Sequence, residues 1–132
     1  MKRGMYVCSM AAEGGKHLSA HFKAREFACG DGSDAIFVAE ELVSVLEKIR
    51  VHFNKPVYIT SGYRTPAHNK SVGGEERSQH IYGMAADITV QDVKAAEVAD
   101  YAETLLKNKG GIGRYEQFTH VDVRRTKSRW KG

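Results

Sequence analysis

The sequence has little of what marks several special classes of protein. It contains only 2 cysteines and 2 prolines, with no internal repeat and no low-complexity segment. Two cysteines can form at most one disulfide bond in an oxidising compartment, and two free, partly buried thiols fit equally well. Cys8 and Cys29 lie away from the histidine-containing motifs, so neither is given a function. No segment approaches the roughly 18 apolar residues of a membrane helix, so we expect no membrane partner.

The residues that are present are typical of a soluble globular protein. The chain has 132 residues, of which 42% are apolar and 27% are charged. This length suits one domain, residues 1–132, with one modest core, and this composition does not favour disorder. We expect the domain to be a monomer.

The charge balance is mildly basic, with a formal net charge of +4 and a pI of about 9.1. Such an excess favours polyanionic surroundings, including nucleic acid, anionic membrane and cell wall, without choosing among them. The densest basic run, 124–131, is predicted to be a solvated C-terminus. A nucleic-acid-binding face interleaves aromatic and basic residues, whereas this run contains only Trp130. We therefore expect no nucleic-acid partner.

The first residues, 1–7, begin like the charged region of a signal peptide. The apolar stretch then ends in the polar segment 13–16, so we predict no signal peptide. The protein is accordingly expected to be made in the cytoplasm.

Hydrophobic periodicity predicts two helices. Apolar residues at helical spacing indicate a helix over 35–52, capped by Ser33 or Asp34, and another over 92–108 that a pair of glycines ends. The segments before and between these elements, 1–34 and 66–82, are predicted to be irregular.

β-branched and aromatic residues predict three strands, at 56–60, 85–90 and 118–123. Together with the two helices, they indicate an α+β domain with a small antiparallel sheet.

Three residues in this arrangement have metal-binding chemistry: His80, Asp87 and His120. Gly83 lets the backbone turn, so that a loop histidine can lie beside an aspartate at the start of a strand. His120 belongs to another predicted strand. Two imidazoles and one carboxylate suit a catalytic Zn²⁺, which keeps a fourth position for water, lowers the pKa of that water and polarises a scissile carbonyl. The alternative is that these are surface or structural histidines.

Four segments also match, in order along the chain, the pattern of one enzyme family. SQHIYGMAADI at 78–88 contains SxHxxGxAxD, and TSGYRTPAHN at 60–69 contains an SGYR-type segment. FTHVDVR at 118–124 is similar to a second metal-binding strand, and Leu18, Ser19 and 26–29 are similar to the N-terminal segment of small members. The chain thus resembles the M15-type zinc D-Ala-D-Ala carboxypeptidases and related murein endopeptidases over nearly its whole length.

The resemblance implies a hedgehog/DD-peptidase type of fold and hydrolysis of peptidoglycan stem peptides at bonds involving D-amino acids, by carboxypeptidase or endopeptidase action. His80, Asp87 and His120 match the zinc ligands. Arg64 matches an arginine that faces the substrate, where its forked donors suit a carboxylate or a developing oxyanion; a structural salt bridge is the alternative. Ser78 matches a residue that lines the substrate cleft, although it can equally cap its loop.

The general base is where the sequence departs from the family pattern. Several relatives have a carboxylate three residues before the second histidine, but this chain has Gln117 there, which cannot accept a proton. Asp122 lies on the same strand face as His120, so it can serve as the base or as a residue that orients an imidazole. Glu116 is the reserve candidate, provided the strand extends that far.

Two further expectations follow from the resemblance. The enzyme would act on the cell wall without a signal peptide, which suits a phage or prophage lysis protein (an endolysin). Because the same fold also supports binding proteins, the alternative function is a non-catalytic wall-binding module that retains the metal site.

Overall fold

The computed structural model describes residues 4–132, which form an α+β structure. The helices are α1 (Met10–Glu13), α2 (Glu40–Phe53), α3 (Pro66–Ser71) and α4 (Ala95–Leu106). The strands are β1 (Met5–Ser9), β2 (Ala35–Ala39), β3 (Val57–Ser61), β4 (Ala85–Val90), β5 (Gly111–Arg114), β6 (Thr119–Asp122) and β7 (Ser128–Lys131). Two short 3-10 turns occupy Ala24–Phe27 and Gln79–Tyr82. Residues 1–3, where the segments 1–34 and 1–7 begin, lie outside the described residues.

The described strands form two sheets. β1 and β2 pair antiparallel, and the other five strands have the order β3-β4-β6-β5-β7. Neighbours in the larger sheet are antiparallel except for β5 and β7, which are parallel. The α+β class predicted from the sequence is confirmed, but the larger sheet is mixed rather than wholly antiparallel.

The core lies between the larger sheet and the helices α2 and α4. Leu46 and Ile49 of α2 and Ala102 of α4 pack with Ala86 and Ile88 of β4, and all five are fully buried. Side chains alternate along a strand, so the residue between Ala86 and Ile88 points to the opposite face of the sheet. That residue is Asp87, so the predicted metal site lies on the face of the sheet away from the helices.

The prediction for the N-terminal third is wrong in two respects. Segment 1–34 is not irregular where it is described, because it contains β1, α1 and a 3-10 turn. The predicted helix 35–52 begins only at Glu40, since Ala35–Ala39 pairs with β1 as an edge strand. Asp34 does not cap α2; its carboxylate accepts hydrogen bonds from Ala11 N and Ser9 Oγ at the start of α1. The apolar residues of β2 happen to continue the helical spacing of α2, so the predicted helix began five residues too early.

The C-terminal run is not a solvated tail. Ser128–Lys131 forms β7, and Arg129 Nε lies 2.7 Å from Glu103 Oε1 while its Nη atoms donate to the carbonyls of Gly110, Lys107 and Lys109. These contacts hold Arg129 against the rest of the domain, and Trp130, which follows it, is half-buried, whereas Arg125, Lys127 and Lys131 are exposed.

The polar segment 66–82 contains α3 and the second 3-10 turn, although it was predicted to be a loop. Thr65 Oγ1 accepts a hydrogen bond from His68 N, and Pro66 occupies the first turn, which are favourable helix-start features. The other predicted elements are confirmed within a few residues. Both cysteines are free and buried. Among the described helices, none is long and apolar enough to cross a membrane.

Candidate active site

Asp87 lies between two histidines on the face of the sheet opposite the helices. Its strand, β4, pairs with β6 so that Asp87 is directly opposite His120. Asp87 Oδ1 lies 3.0 Å from His120 Nδ1 and 3.3 Å from His80 Nε2. All three side chains are buried. The structure thus brings the three residues predicted to bind metal together around one point.

The 3-10 turn Gln79–Tyr82 delivers His80 to this point. Ser78 Oγ accepts a hydrogen bond from His80 N, and Gly83 ends the turn with a φ of +69°, a conformation that favours glycine. His80 Nδ1 lies 2.8 Å from the carbonyl oxygen of Gly62, to which it donates. This contact fixes a proton on Nδ1 and leaves Nε2 facing Asp87, where it donates in the charged ring and presents a lone pair in the neutral ring.

His120 is held in the same way by Asp122. His120 Nε2 lies 2.8 Å from Asp122 Oδ2, so Nε2 carries a proton and Nδ1 faces Asp87, where it donates in the charged ring and presents a lone pair in the neutral ring. Asp122 Oδ2 also accepts from Arg124 Nη2, and Asp122 Oδ1 accepts from Arg124 N and Nε. Each oxygen therefore accepts two hydrogen bonds, and the residue is fully buried. A carboxylate has about four acceptor positions, so no lone pair is left for another donor.

The position opposite Asp122 must be a glycine. A Cβ on Gly111, its partner across β5 and β6, would lie only 2.2 Å from Asp122 Oδ2. Gly111 therefore makes the room that the buried carboxylate occupies.

The electrostatics of the cluster favour ionised carboxylates. Burial opposes ionisation of Asp87, but hydrogen bonds from His120 and His80, with their charges, hold the pKa of Asp87 well below its usual range. Burial likewise opposes ionisation of Asp122, but His120 and Arg124 outweigh it and lower its pKa. Burial also opposes the charged form of His120 and so lowers its pKa, but Asp122 and Asp87 outweigh this effect and raise the pKa.

Arg64 lies at the edge of the cluster. Its Nη2 atom is 3.5 Å from Asp87 Oδ2, while Nε donates to Ser61 Oγ at 3.0 Å and Nη1 donates to Asn69 Oδ1 at 3.2 Å. The side chain is 15% exposed and borders the cleft. Arg64 thus forms an ion pair with Asp87 and also faces the cleft, which accommodates both of the roles predicted for it.

The cluster forms the floor of a cleft of about 580 Å³. One wall is aromatic: Tyr115 and Phe118 stack at 4.3 Å between ring centroids, and Trp130 Nε1 donates to Tyr115 Oη. The centroid of the Trp130 ring also lies 4.9 Å from that of His120, and the guanidinium carbon of Arg124 lies over the Trp130 ring, 5.4 Å from its centroid. The wall therefore begins directly beside the metal-ligand cluster.

The opposite wall is polar and includes Ser78, which both caps its turn and lines the cleft. Glu75 lines the cleft as well, with an exposed side chain. Glu116 and Gln117 are exposed in a bend before β6 and are not among the cleft residues. Since β6 begins at Thr119, the argument that placed Glu116 on the same face as His120 does not apply.

Sequence reasoning missed the aromatic wall and the role of Arg124. Phe118 and Trp130 were visible as aromatics near the motif, but only the parallel pairing of β5 with β7 brings Trp130 to the cleft. Arg124 was grouped with a basic tail, although it binds Asp122 two residues away.

The donor set fits a metal ion. The ligand atoms of His80, Asp87 and His120 all lie within 4.8 Å of one another, and two imidazoles with one carboxylate are a ligand set that zinc accepts. In the neutral form, both imidazoles present a lone pair to the centre because Gly62 and Asp122 hold their other nitrogens. Closing the three ligands on one ion requires only small side-chain movements.

Comparisons with known proteins agree with this geometry. The family model described as Peptidase M15 matches residues 16–122, which include the three ligand residues and Asp122. The chain is also 34% identical over 86 residues to the Haemophilus influenzae protein named "Probable peptidoglycan L,D-endopeptidase MepK". The match covers 60% of this chain and 45% of that protein, so the chain spans less than half the length of this relative.

Proposed function

This chain belongs to the peptidase M15 family, and we propose on that basis that it is a zinc-dependent peptidase that hydrolyses peptidoglycan stem peptides at a bond involving a D-amino acid. The observation that carries the proposal is the buried His80, Asp87 and His120 cluster at the floor of a cleft. Residues 1–132 form a single peptidase domain with a hedgehog/DD-peptidase type of fold.

Zinc would be held by His80 Nε2, His120 Nδ1 and an oxygen of Asp87. When bound, the ion supplies a Lewis acid that polarises the scissile carbonyl and lowers the pKa of water. The chain's own contribution is orientation: Gly62 and Asp122 hold the two imidazoles, so that only small side-chain movements would be needed to bind the ion.

Arg64 binds the substrate's negative charge. It is held by Ser61 and Asn69 on one side, so its remaining donor face is preorganised beside the ligand cluster. A carboxylate of the stem peptide, or the oxyanion that develops at the scissile carbonyl, would accept from this guanidinium. The contact with Asp87 holds that charge beside the three residues that would bind the ion.

Asp122 acts as the residue that orients His120 rather than as the general base. Its four acceptor positions are filled by His120 and Arg124, and it is sealed from the cleft. A base must reach the proton that it removes. Glu75 is the carboxylate, apart from Asp87, that lines the cleft among the described residues, and it replaces Glu116 as the reserve candidate.

The substrate lies along the cleft between the aromatic wall and Ser78. Tyr115, Phe118 and Trp130 offer apolar faces to the peptide, whereas the opposite side offers hydrogen-bonding groups. The name of the Haemophilus influenzae relative favours an internal L,D bond over removal of a terminal D-alanine. The cell wall is the proposed place of action.

Mass analysis of purified peptidoglycan fragments after incubation with the protein tests this function. We expect new stem-peptide products that a chelator suppresses, and their masses identify the bond. A terminal D-alanine released alone indicates carboxypeptidase action, whereas larger fragments indicate endopeptidase action. Binding to the fragments without any cleavage would instead support a non-catalytic wall-binding module. The observation that favours this alternative is Gln117, an exposed residue that cannot accept a proton, at the position where the general base is expected.

A further inference from the structure

A second group of metal-ligating side chains lies outside the candidate active site. Cys29 Sγ, a carboxylate oxygen of Asp31 and an imidazole nitrogen of His68 all lie within 4.8 Å of one another. Cys29 and Asp31 follow the 3-10 turn Ala24–Phe27, and His68 belongs to α3. None of the three takes part in the His80, Asp87 and His120 cluster.

The backbone prearranges this second group. Gly32 N donates to Cys29 O, which closes a tight turn around Gly30, and Thr65 Oγ1 donates to Asp31 Oδ2 at 2.8 Å, which ties the turn to the start of α3. Gly30 lies directly under the imidazole, since a Cβ there would be 3.4 Å from His68 Nε2. The turn and the helix are therefore held against each other with the three ligands on their shared side.

The three side chains can present their ligand atoms to one ion. Cys29 is a free thiol that is 5% exposed, and the ring of His68 has no hydrogen-bond partner in the part of the chain that the structure describes. Asp31 Oδ1 accepts from Ser33 N and Asp31 Oδ2 accepts from Thr65 Oγ1, and the carboxylate also accepts from the side chains of Ser33 and Cys29. Loss of the Cys29 proton on metal binding frees the acceptor position that the thiol occupies, so the thiolate and the carboxylate can face the same ion.

We propose that Cys29, Asp31 and His68 form a second metal site that binds a thiophilic divalent ion of the zinc class. A thiolate, an imidazole and a carboxylate are all ligands that zinc accepts, and the thiolate disfavours magnesium and calcium. Zinc–sulfur and zinc–nitrogen bonds of about 2.3 Å and 2.0 Å require the ligand atoms to close in slightly. On binding, the Cys29 thiol releases its proton to solvent, and water completes the coordination on the exposed side of Asp31.

The ion would fasten the turn at 29–32 to α3. The next residue of α3, Asn69, is buried and accepts from Arg64 Nη1, while its Nδ2 donates to Glu75 O. The second site therefore stabilises the helix that holds Arg64 in place, and its role is structural.

Cobalt substitution tests this site separately from the first. A thiolate bound to Co²⁺ gives a sulfur-to-metal charge-transfer absorption in the near ultraviolet, whereas the His80, Asp87 and His120 site contains no sulfur. We expect this absorption in the metal-depleted full-length protein after addition of Co²⁺. It should persist in His80→Ala and in Cys8→Ser, the matched control at the other buried cysteine, and it should vanish in Cys29→Ser.

His68→Ala provides a second test if Cys29→Ser does not fold, because the His68 side chain is only partly buried. We expect its charge-transfer absorption to require at least about 10-fold more Co²⁺ than the wild type. No absorption in the wild-type protein, an unchanged titration in His68→Ala, or a band that persists in Cys29→Ser would overturn the proposal. The readout is metal binding, so its failure leaves the proposed peptidase activity unaffected.

Discussion

At the scale of single residues, the sequence alone leaves two candidate roles for Asp122 equally open. Its position two residues after His120 suited either a general base or an orienting carboxylate. The geometry favours the second, because Arg124 and His120 occupy all of its acceptor positions. The grouping of His80, Asp87 and His120 could be predicted because these residues lie in recognisable motifs. The saturation of Asp122 could not, because it depends on how Arg124 folds back over its own strand.

Asp122→Asn distinguishes the two roles. An orienting residue affects the metal, so we expect zinc affinity to fall roughly 10–100-fold and excess zinc to restore most of the activity. Zinc affinity is measured by competition with a chromogenic chelator, and hydrolysis is measured with and without added zinc. Glu116→Gln, at an exposed position outside the cleft, is the control and should behave as the wild type.

The alternative gives a different pattern. If Asp122 were the base, its replacement would lower the rate by roughly 10²–10⁴ with zinc affinity intact, and added zinc would not help. That result would overturn the assignment made here.

Arg64→Ala tests whether this arginine binds the negative charge of the substrate or of the transition state. Removing a preorganised donor from the transition state is expected to lower kcat/KM by roughly 10²–10³, while zinc content and the melting temperature stay close to those of the wild type. Arg125→Ala, which removes an exposed arginine outside the cleft, should leave kcat/KM unchanged. A large loss of stability with unchanged hydrolysis would mean that Arg64 serves only as a structural partner of Asp87.

At the scale of elements, β5 and β7 mark the limit of what the sequence could predict. The helices α2 and α4 and the strands β3, β4 and β6 have local periodicity, so they could be found. β5 contains two glycines, and β7 has the composition of a basic tail. β5 is stabilised by pairing with β6 and β7, and β7 by its parallel pairing with β5, so neither strand depends on a local pattern of its own residues.

Gly113→Ala tests whether β7 shapes the cleft. A Cβ at this position would lie 2.6 Å from the Trp130 ring, so the indole must move or the strand must shift. We expect a loss of about 1–3 kcal/mol in unfolding free energy and a changed emission maximum from Trp130, the only tryptophan.

The matched control for this change is Gly15→Ala. A Cβ on Gly15 meets no atom within 4 Å, so the same substitution should leave stability and fluorescence close to those of the wild type. Equal effects of the two alanines would show that Trp130 is not packed against β5 in solution.

At the scale of the whole molecule, Glu47 ties the N-terminal segment to α2. Its carboxylate accepts from Ser19 Oγ at 2.6 Å and from His21 N at 2.9 Å, and it also pairs with the His21 ring. Burial opposes ionisation of Glu47, but these partners outweigh it and lower its pKa. A depressed carboxyl pKa contributes stability above the unfolded-state value, and this contribution is lost as the pH falls through the folded-state value.

Glu47→Gln should therefore be less stable than the wild type near neutral pH, and the difference should shrink below about pH 4. Denaturant titrations of both proteins at a series of pH values measure this difference, with Glu76→Gln as the exposed control. If the difference in unfolding free energy between the two proteins were the same at every pH, the charge on Glu47 would contribute nothing to stability.

The central claim is that one buried His80, Asp87 and His120 centre makes this chain a zinc peptidase of peptidoglycan. The most direct measurement is hydrolysis of a defined stem peptide by metal-depleted protein, followed by mass spectrometry before and after zinc is added, with His80→Ala alongside. We expect no product without metal, restored cleavage at a single bond when zinc is added to the wild type, and no restoration in His80→Ala. The same product from the metal-depleted protein, or from His80→Ala, would contradict the account.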